Sequence, residues 1–276
     1  MPFPGPEQCH PRVGNTRHVD GCIPQDILKE VAKKLDVSET RSAIEKKLDV
    51  KPKHEYSFVQ ALPFDDARKR ELVKTYLRPK QPDEWKNDPD MWLNSLDITH
   101  VMNQYEDAFP NFEFMGPFPI DFAAPDPYSG GNKCLIQEMC EIKTTEALAK
   151  GTQYIGIIYN LDAHYKGGSH WVATFIDLVK HNTYYFDSYG MEPPVQIQKF
   201  MKWLTTQDTH MEISTPETKM KLYYNGRRFQ FKGSECGMYS MYFIIRMLAG
   251  DDFQAFSRKA PPDSFMLDLR DYLFST

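Results

Sequence analysis

A segment near the carboxyl end, CGMYSMYFIIRMLAG at 236–250, constrains the fold of this chain more than any other, because it is apolar nearly all the way round and ends in glycine. A helix without a polar face must be covered on every side, and a glycine at its end supplies the stop. The rest of the chain therefore has to provide a sheet and further helices around it. Composition allows this. Of 276 residues, 41% are hydrophobic and 13% aromatic, while charges of both signs make up 26%, which is the profile of a globular chain with a sizeable core.

The cover is legible upstream. Three apolar, β-branched runs, QYIGIIYNL (153–161), HWVATFIDLV (170–179) and NTYYFDSY (182–189), predict neighbouring strands. The segment PPVQIQKFMKWLTTQ (193–207) predicts a helix beginning at proline, and KMKLYYNGRRFQF (219–231) predicts a strand pair turned at Asn225-Gly226. The fold class expected is α+β: a central mixed sheet flanked by helices, with Cys236 opening the buried helix.

The amino-terminal part reads differently. Residues 1–21 are rich in Pro and Gly and lack periodicity, whereas 24–35, 39–50 and 65–77 carry helical patterns, with PKHEYSFVQALPF as a separator. A Pro-rich polar connection at 78–90 marks a change of unit. We therefore expect a helical arm over 1–80 and a separate domain, the one that holds Cys236, over 81–276. Within the latter, 91–109 reads as a helix and 110–127 as a Pro-rich loop.

Several function classes fall away. The net charge is -5 with only short basic clusters, so nucleic acid is not an expected substrate. No basic stretch leads into an apolar core at the start, and no run of 18 apolar residues occurs. The expectation is an intracellular, soluble chain without a membrane partner. Five scattered cysteines, Cys9, Cys22, Cys134, Cys140 and Cys236, do not outline a disulfide framework, so free thiols are expected. Cys9, His10, His18 and Cys22 have zinc-ligand side chains, but their spacing is not that of paired ligand knuckles. Neither a metal nor a cofactor is expected.

A thiol in the first turn of a helix feels the partial positive charge of unpaired backbone N–H groups, which favours the thiolate. Cys236 has that placement. A cysteine beside an apolar helix is ordinarily a small core residue, so the assignment needs companions. His170 opens one predicted strand and Asp187 closes another; if these pair antiparallel through the turn at His181, the two side chains share one sheet edge. Gln230 precedes Cys236 in QFKGSEC, where Gly233 would let the chain curl and bring an amide donor to the cysteine backbone N–H. A nucleophile, a base, an orienting carboxylate and an oxyanion donor are the parts of covalent acyl-transfer catalysis.

The motifs GSHWVATFIDL, YYFDS and QFKGSECGMYSMYF, together with WLNSLDI at 92–98, resemble in order and spacing the cysteine protease family that comprises the ubiquitin-like-protein (SUMO) proteases and the adenovirus protease. The resemblance covers about residues 85–276. It implies His170, Asp187 and Cys236 as catalytic residues with Gln230 as oxyanion donor, and Trp171, Trp92 and Gly237 as substrate-binding residues around a Gly-Gly stretch. The helical arm and modest length resemble the virion-maturation proteases of large cytoplasmic DNA viruses. That implies a partner protein bearing Gly-Gly, a viral polyprotein or a ubiquitin-like protein, and a location in the virion and host cytoplasm. Three alternatives stay open: a protease acting on ubiquitin-like conjugates, an acetyltransferase with a similar residue set, and a binding module with a dead site.

Overall fold

The computed structural model describes residues 7–13, 21–131, 133–208 and 219–276. The chain divides into two compact units, Met1–Met91 together with Leu267–Thr276, and Trp92–Met266. Four helices build most of the first: α1 (Gln25–Leu35), α2 (Arg41–Leu48), α3 (Glu55–Ala61) and α4 (Asp66–Tyr76). Pro24 precedes α1 with φ −59°, and Ile27, Leu28, Val31 and Ala32 form its buried stripe. They pack with Ile44, Phe58, Val59 and Leu72 into one apolar cluster. The Arg41 guanidinium is also buried here, 2.8 Å from Glu45 and 3.2 Å from Glu55, and it lies over the Phe58 ring. The separator expected at 52–64 in fact holds α3. Its apolar residues Phe58, Val59 and Leu62 fit a short helix whose length gives periodicity little to show.

The second unit opens with α5 (Ser95–Ala108), followed by strand β1 (Phe112–Pro119), the short helices α6 (Gln137–Glu141) and α7 (Thr144–Ala149), and β2 (Tyr154–Asn160). Next come β3 (Trp171–Asp177), β4 (Asn182–Phe186), α8 (Val195–Asp208), β5 (Lys221–Tyr224), α9 (Cys236–Leu248) and α10 (Phe253–Arg258); α11 (Asp263–Leu273) follows, and from Leu267 on it is counted with the first unit. The sheet order is β1-β2-β3-β4-β5. The outer pairs β1·β2 and β4·β5 are parallel, and the inner pairs β2·β3 and β3·β4 antiparallel.

Helices on both sides explain why the central strands read as continuous apolar runs rather than alternating ones. On one face Ile155, Ile157, Tyr159, Val172, Ile176 and Tyr185 pack with Ile197, Phe200 and Leu204 of α8. On the other, α9 presses on β3 and β2. Phe186 stacks on Phe243 with ring centroids 5.0 Å apart. Every α9 residue from Cys236 to Ile245 is buried, as its all-round apolar character demands.

Several expectations need correction. Residues expected as loop within 110–127 include β1, an edge strand whose register shifts between Met115 and Phe118, where Gly116 has φ +107° and Pro117 offers no N–H. Prolines survive at an edge and hide the strand pattern. The expected hairpin at Asn225-Gly226 is absent: β5 pairs parallel with β4 and ends at Tyr224. The helix expected over 91–109 starts only at Ser95, where Asn94 and Asp97 form a reciprocal capping box. Four cysteines expected as free thiols form disulfides, Cys9–Cys22 and Cys134–Cys140, with Cα separations of 5.2 and 6.4 Å. Pairing follows from Cα proximity, which sequence spacing alone does not reveal. Cys236 is left as the free thiol.

The tight seat of α9 on the sheet is testable at Gly156, where an added Cβ would lie 2.9 Å from Phe112 ring carbons and 3.0 Å from Ile244 Cγ2. Gly156→Ala is expected to lower stability by about 1–3 kcal/mol through overpacking, read from the denaturant midpoint. Gly226→Ala, where an added Cβ meets nothing within 4 Å, should stay within about 0.5 kcal/mol of the parent protein.

Candidate active site

Cys236 is the first residue of α9 and is buried. Glu235 stands at the N-cap with no side-chain hydrogen bond to the helix, so the first-turn N–H groups keep their partial positive charge for the thiol.

His170 immediately precedes β3 and Asp187 immediately follows β4. With Ala173 opposite Phe186 in the antiparallel register, both reach the same sheet edge, and His170 Nε2 lies 2.7 Å from Asp187 Oδ1. A carboxylate accepts, so Nε2 carries the proton. That leaves Nδ1 for Cys236, whose thiol acts on the protonation of the imidazole. Burial by itself would lower the His170 pKa. The interactions with Asp187 and then Cys236 outweigh it and raise the value from 6.5 to about 9. The ring is thus protonated at neutral pH.

The carboxylate is fixed from several sides. Tyr189 donates its backbone N–H to Asp187 Oδ1 at 2.8 Å, and Gly190 donates to the Asp187 carbonyl at 2.8 Å to close a tight turn. Gly190 has φ +74°, and an added Cβ would fall 2.6 Å from the Arg227 backbone, so glycine is required there. Asn225 clamps the same residue: its Oδ1 accepts from Asp187 N at 2.8 Å and its Nδ2 donates to Asp187 O at 2.7 Å. The Tyr189 ring stacks on the imidazole with centroids 4.6 Å apart and planes 16° from parallel.

Gln230 is fully buried. Its Nε2 donates to the Lys232 carbonyl at 3.0 Å and its Oε1 accepts from Ser188 Oγ at 2.7 Å. Because a carbonyl can only accept, this contact fixes which end is the NH2, and one of its two hydrogens remains for another acceptor.

Trp171 donates Nε1–H to the Leu93 carbonyl at 3.0 Å. A Cβ at Gly237 would lie 3.0 Å from Leu93 Cδ1 and 3.2 Å from Trp171 Cδ1, so the absent side chain is what lets these groups close together. Trp92 is 45% exposed. Both tryptophans line a cleft of about 460 Å³ with Leu93, Phe118 and Asn160. A slightly larger apolar cavity of about 510 Å³, walled by Ile120, Phe122, Phe200 and Trp203, contains none of these residues.

Asn225, Tyr189 and Ser188 escaped the sequence reading. Asn225 sits in an Asn-Gly pair that reads as a hairpin turn, and no spacing rule marks the other two. In the first unit the zinc-like set is divided: Cys9 and Cys22 are joined to each other, His10 Nδ1 accepts from Arg12 N, and His18 lies outside the described residues. Among the described residues no group of three or more metal-ligand side chains is found. No helix among them is long and apolar enough to cross a membrane.

Comparison with known proteins bears on this geometry. Residues 134–271 match the profile of the Ulp1 protease family, C-terminal catalytic domain; that stretch holds His170, Asp187, Gln230 and Cys236 and leaves Trp92 outside. A putative thiol protease of Acanthamoeba polyphaga mimivirus is 35% identical over 166 residues, 59% of this chain and 49% of the relative. The chain thus spans about half the length of that relative. A cysteine protease of African swine fever virus is 23% identical over 275 residues, covering 98% of this chain and 95% of the relative. The crystal structure of an African swine fever virus protease superposes with a TM-score of 0.67 at 19% identity, over 98% of this chain and 96% of that one, and shows the same fold.

Two measurements test the geometry without reference to any reaction. Histidine NMR should place the His170 titration near pH 9, and Asp187→Asn should move it downward. Because this folded-state value is above the unfolded 6.5, the associated stability is fully present below about 6.5 and lost as pH rises through about 9. Asn225→Ala strands the Asp187 N–H and leaves its carbonyl with Gly190 as donor, and should cost about 1–3 kcal/mol in denaturant unfolding.

Proposed function

The chain belongs to the Ulp1 protease family, a family of cysteine proteases, and from that premise we propose that it is an endopeptidase that cuts after Gly-Gly in viral structural precursors, with Cys236 as nucleophile. The observation that carries this reading is the 2.7 Å contact of His170 Nε2 with Asp187, which leaves Nδ1 for the thiol at the start of a buried helix. We place the chemistry in a domain over 81–276 and treat 1–80 as an arm.

In the proposed reaction the Cys236 thiolate, paired with protonated His170, attacks the carbonyl carbon of the second glycine. The resulting oxyanion is stabilised by the Cys236 backbone N–H and the free amide hydrogen of Gln230; a single such donor is worth about 10²–10³ in rate. His170 passes its Nδ1 proton to the departing amine, the C–N bond breaks, and a thioester remains on Cys236. Water then attacks the thioester while His170 takes its proton, and the acid product leaves with the thiol restored. Asp187 keeps the imidazole in the productive tautomer and supports its positive charge throughout.

The Gly-Gly preference is supported by the walls of the cleft. Trp171 is locked by Leu93, and Trp92 lines the same space, so a chain passing between two such rings is favoured when its side chains are hydrogen atoms. Relatives in mimivirus and African swine fever virus support a viral precursor as substrate and the particle and host cytoplasm as its setting.

Cys236→Ala should abolish cleavage of a Gly-Gly-X peptide while the melting temperature stays close to that of the parent; turnover at the parental rate would eliminate the mechanism. Asp187→Ala should lower kcat by about 10²–10⁴ without abolishing it, and the alkaline limb of kcat/KM, near pH 9 in the parent, should move downward in Asp187→Asn. A folded ubiquitin-like conjugate cleaved faster than Gly-Gly-X peptides and viral precursors would redirect the substrate assignment.

A further inference from the structure

Against the His170 ring the structure presents an aromatic column with a cation in it. The Tyr189 ring stacks on the imidazole at 4.6 Å, and the Arg228 guanidinium lies over the same ring, 5.1 Å from its centroid. The guanidinium also lies 5.0 Å from the Phe231 ring, and its Nε donates to the Gln230 carbonyl at 2.7 Å. Arg228 is exposed and Phe231 is 72% exposed.

Three contacts therefore hold this side chain still, and none is a carboxylate. Among the described residues Arg228 forms no ion pair. Asp263 accepts from the Phe231 and Lys232 backbone N–H groups, and the buried Glu235, which acts electrostatically on Tyr189, accepts from the Ser234 N–H. The neighbouring Arg227 donates to the Arg258 carbonyl. A planar cation fixed between two rings has already lost most of the rotamer freedom that weakens exposed ion pairs. Its outward N–H donors match a carboxylate in shape.

We propose that Arg228 is a specificity-determining residue that binds an acidic side chain on the leaving-group side of the scissile bond. The inference rests on the endopeptidase reading above. His170 must hand a proton to the leaving amine, so the departing peptide begins at the imidazole, and the column extends from that ring. The guanidinium lies within about 10 Å of it, a distance that an extended chain covers in about three residues. The acid is thus expected within the first three positions after the cut, with Phe231 as the apolar flank beside it.

The test uses the full chain and fluorogenic peptides with Gly-Gly before the cut and Asp, Asn or Lys placed in turn at each of the next three positions. For at least one position the parent protein should favour Asp over Lys by about fivefold in kcat/KM, the size expected of a partly exposed pair. Arg228→Ala should bring the ratio near one, and Arg228→Glu should invert it, an outcome that loss of folding does not produce. Equal rates for Asp and Lys at all three positions, or an Asp preference kept in Arg228→Glu, overturn the proposal while leaving the endopeptidase reading standing. Failure to cleave any of the peptides overturns the Gly-Gly reading and this inference with it.

Discussion

Antiparallel pairing of β3 with β4 decides where the candidate site sits. With Asp177 opposite Asn182 at one end and Ala173 opposite Phe186 at the other, His170 and Asp187 meet at a single edge although separated along the chain. Shifting that register by one residue would exchange the two faces of β4. Phe186 would leave α9 and Tyr185 would leave the α8 side, so the burial of both faces fixes the same geometry that brings imidazole to carboxylate. The core and the candidate site are in this sense one structure.

The electrostatics follow from that placement. A buried imidazole without partners would lose its proton more readily than in water. Asp187 reverses the balance because it is itself held by the Tyr189 N–H and by both ends of the Asn225 amide, which leaves it little freedom to turn away. At Gln230 the Lys232 carbonyl and the Ser188 hydroxyl play the corresponding part. Asp187 and Gln230 are thus oriented by neighbours from the two loops that follow β4 and β5, and the second of these loops leads into the helix that starts at Cys236.

How much of this could be read beforehand depended on how the signal is carried. The runs at 153–161, 170–179 and 182–189 gave away β2, β3 and β4 because strands buried on both faces must be apolar throughout. The buried helix at 236–248 was legible for the same reason, and so was the meeting of His170 with Asp187, since both end strands joined by a short turn. Strand β1 was hidden by Pro117 and Pro119, whose missing N–H groups matter little at an edge. Asn225 was hidden because Asn-Gly favours tight turns, while here the buried amide satisfies the backbone of a residue far away in sequence. The disulfides depend on which cysteines the fold brings together, and the stack of Arg228 on Tyr189 depends on two loops meeting; neither leaves a local pattern.

The central claim is that Cys236 attacks a substrate held by its Gly-Gly residues. Mass spectrometry of the full chain after incubation with a Gly-Gly vinyl sulfone peptide tests it most directly, with His170→Ala for comparison. The account predicts a single adduct that maps to Cys236 in the parent protein and forms far more slowly in the His170→Ala variant. An adduct on any other residue, or one at Cys236 that forms equally fast without His170, would contradict it.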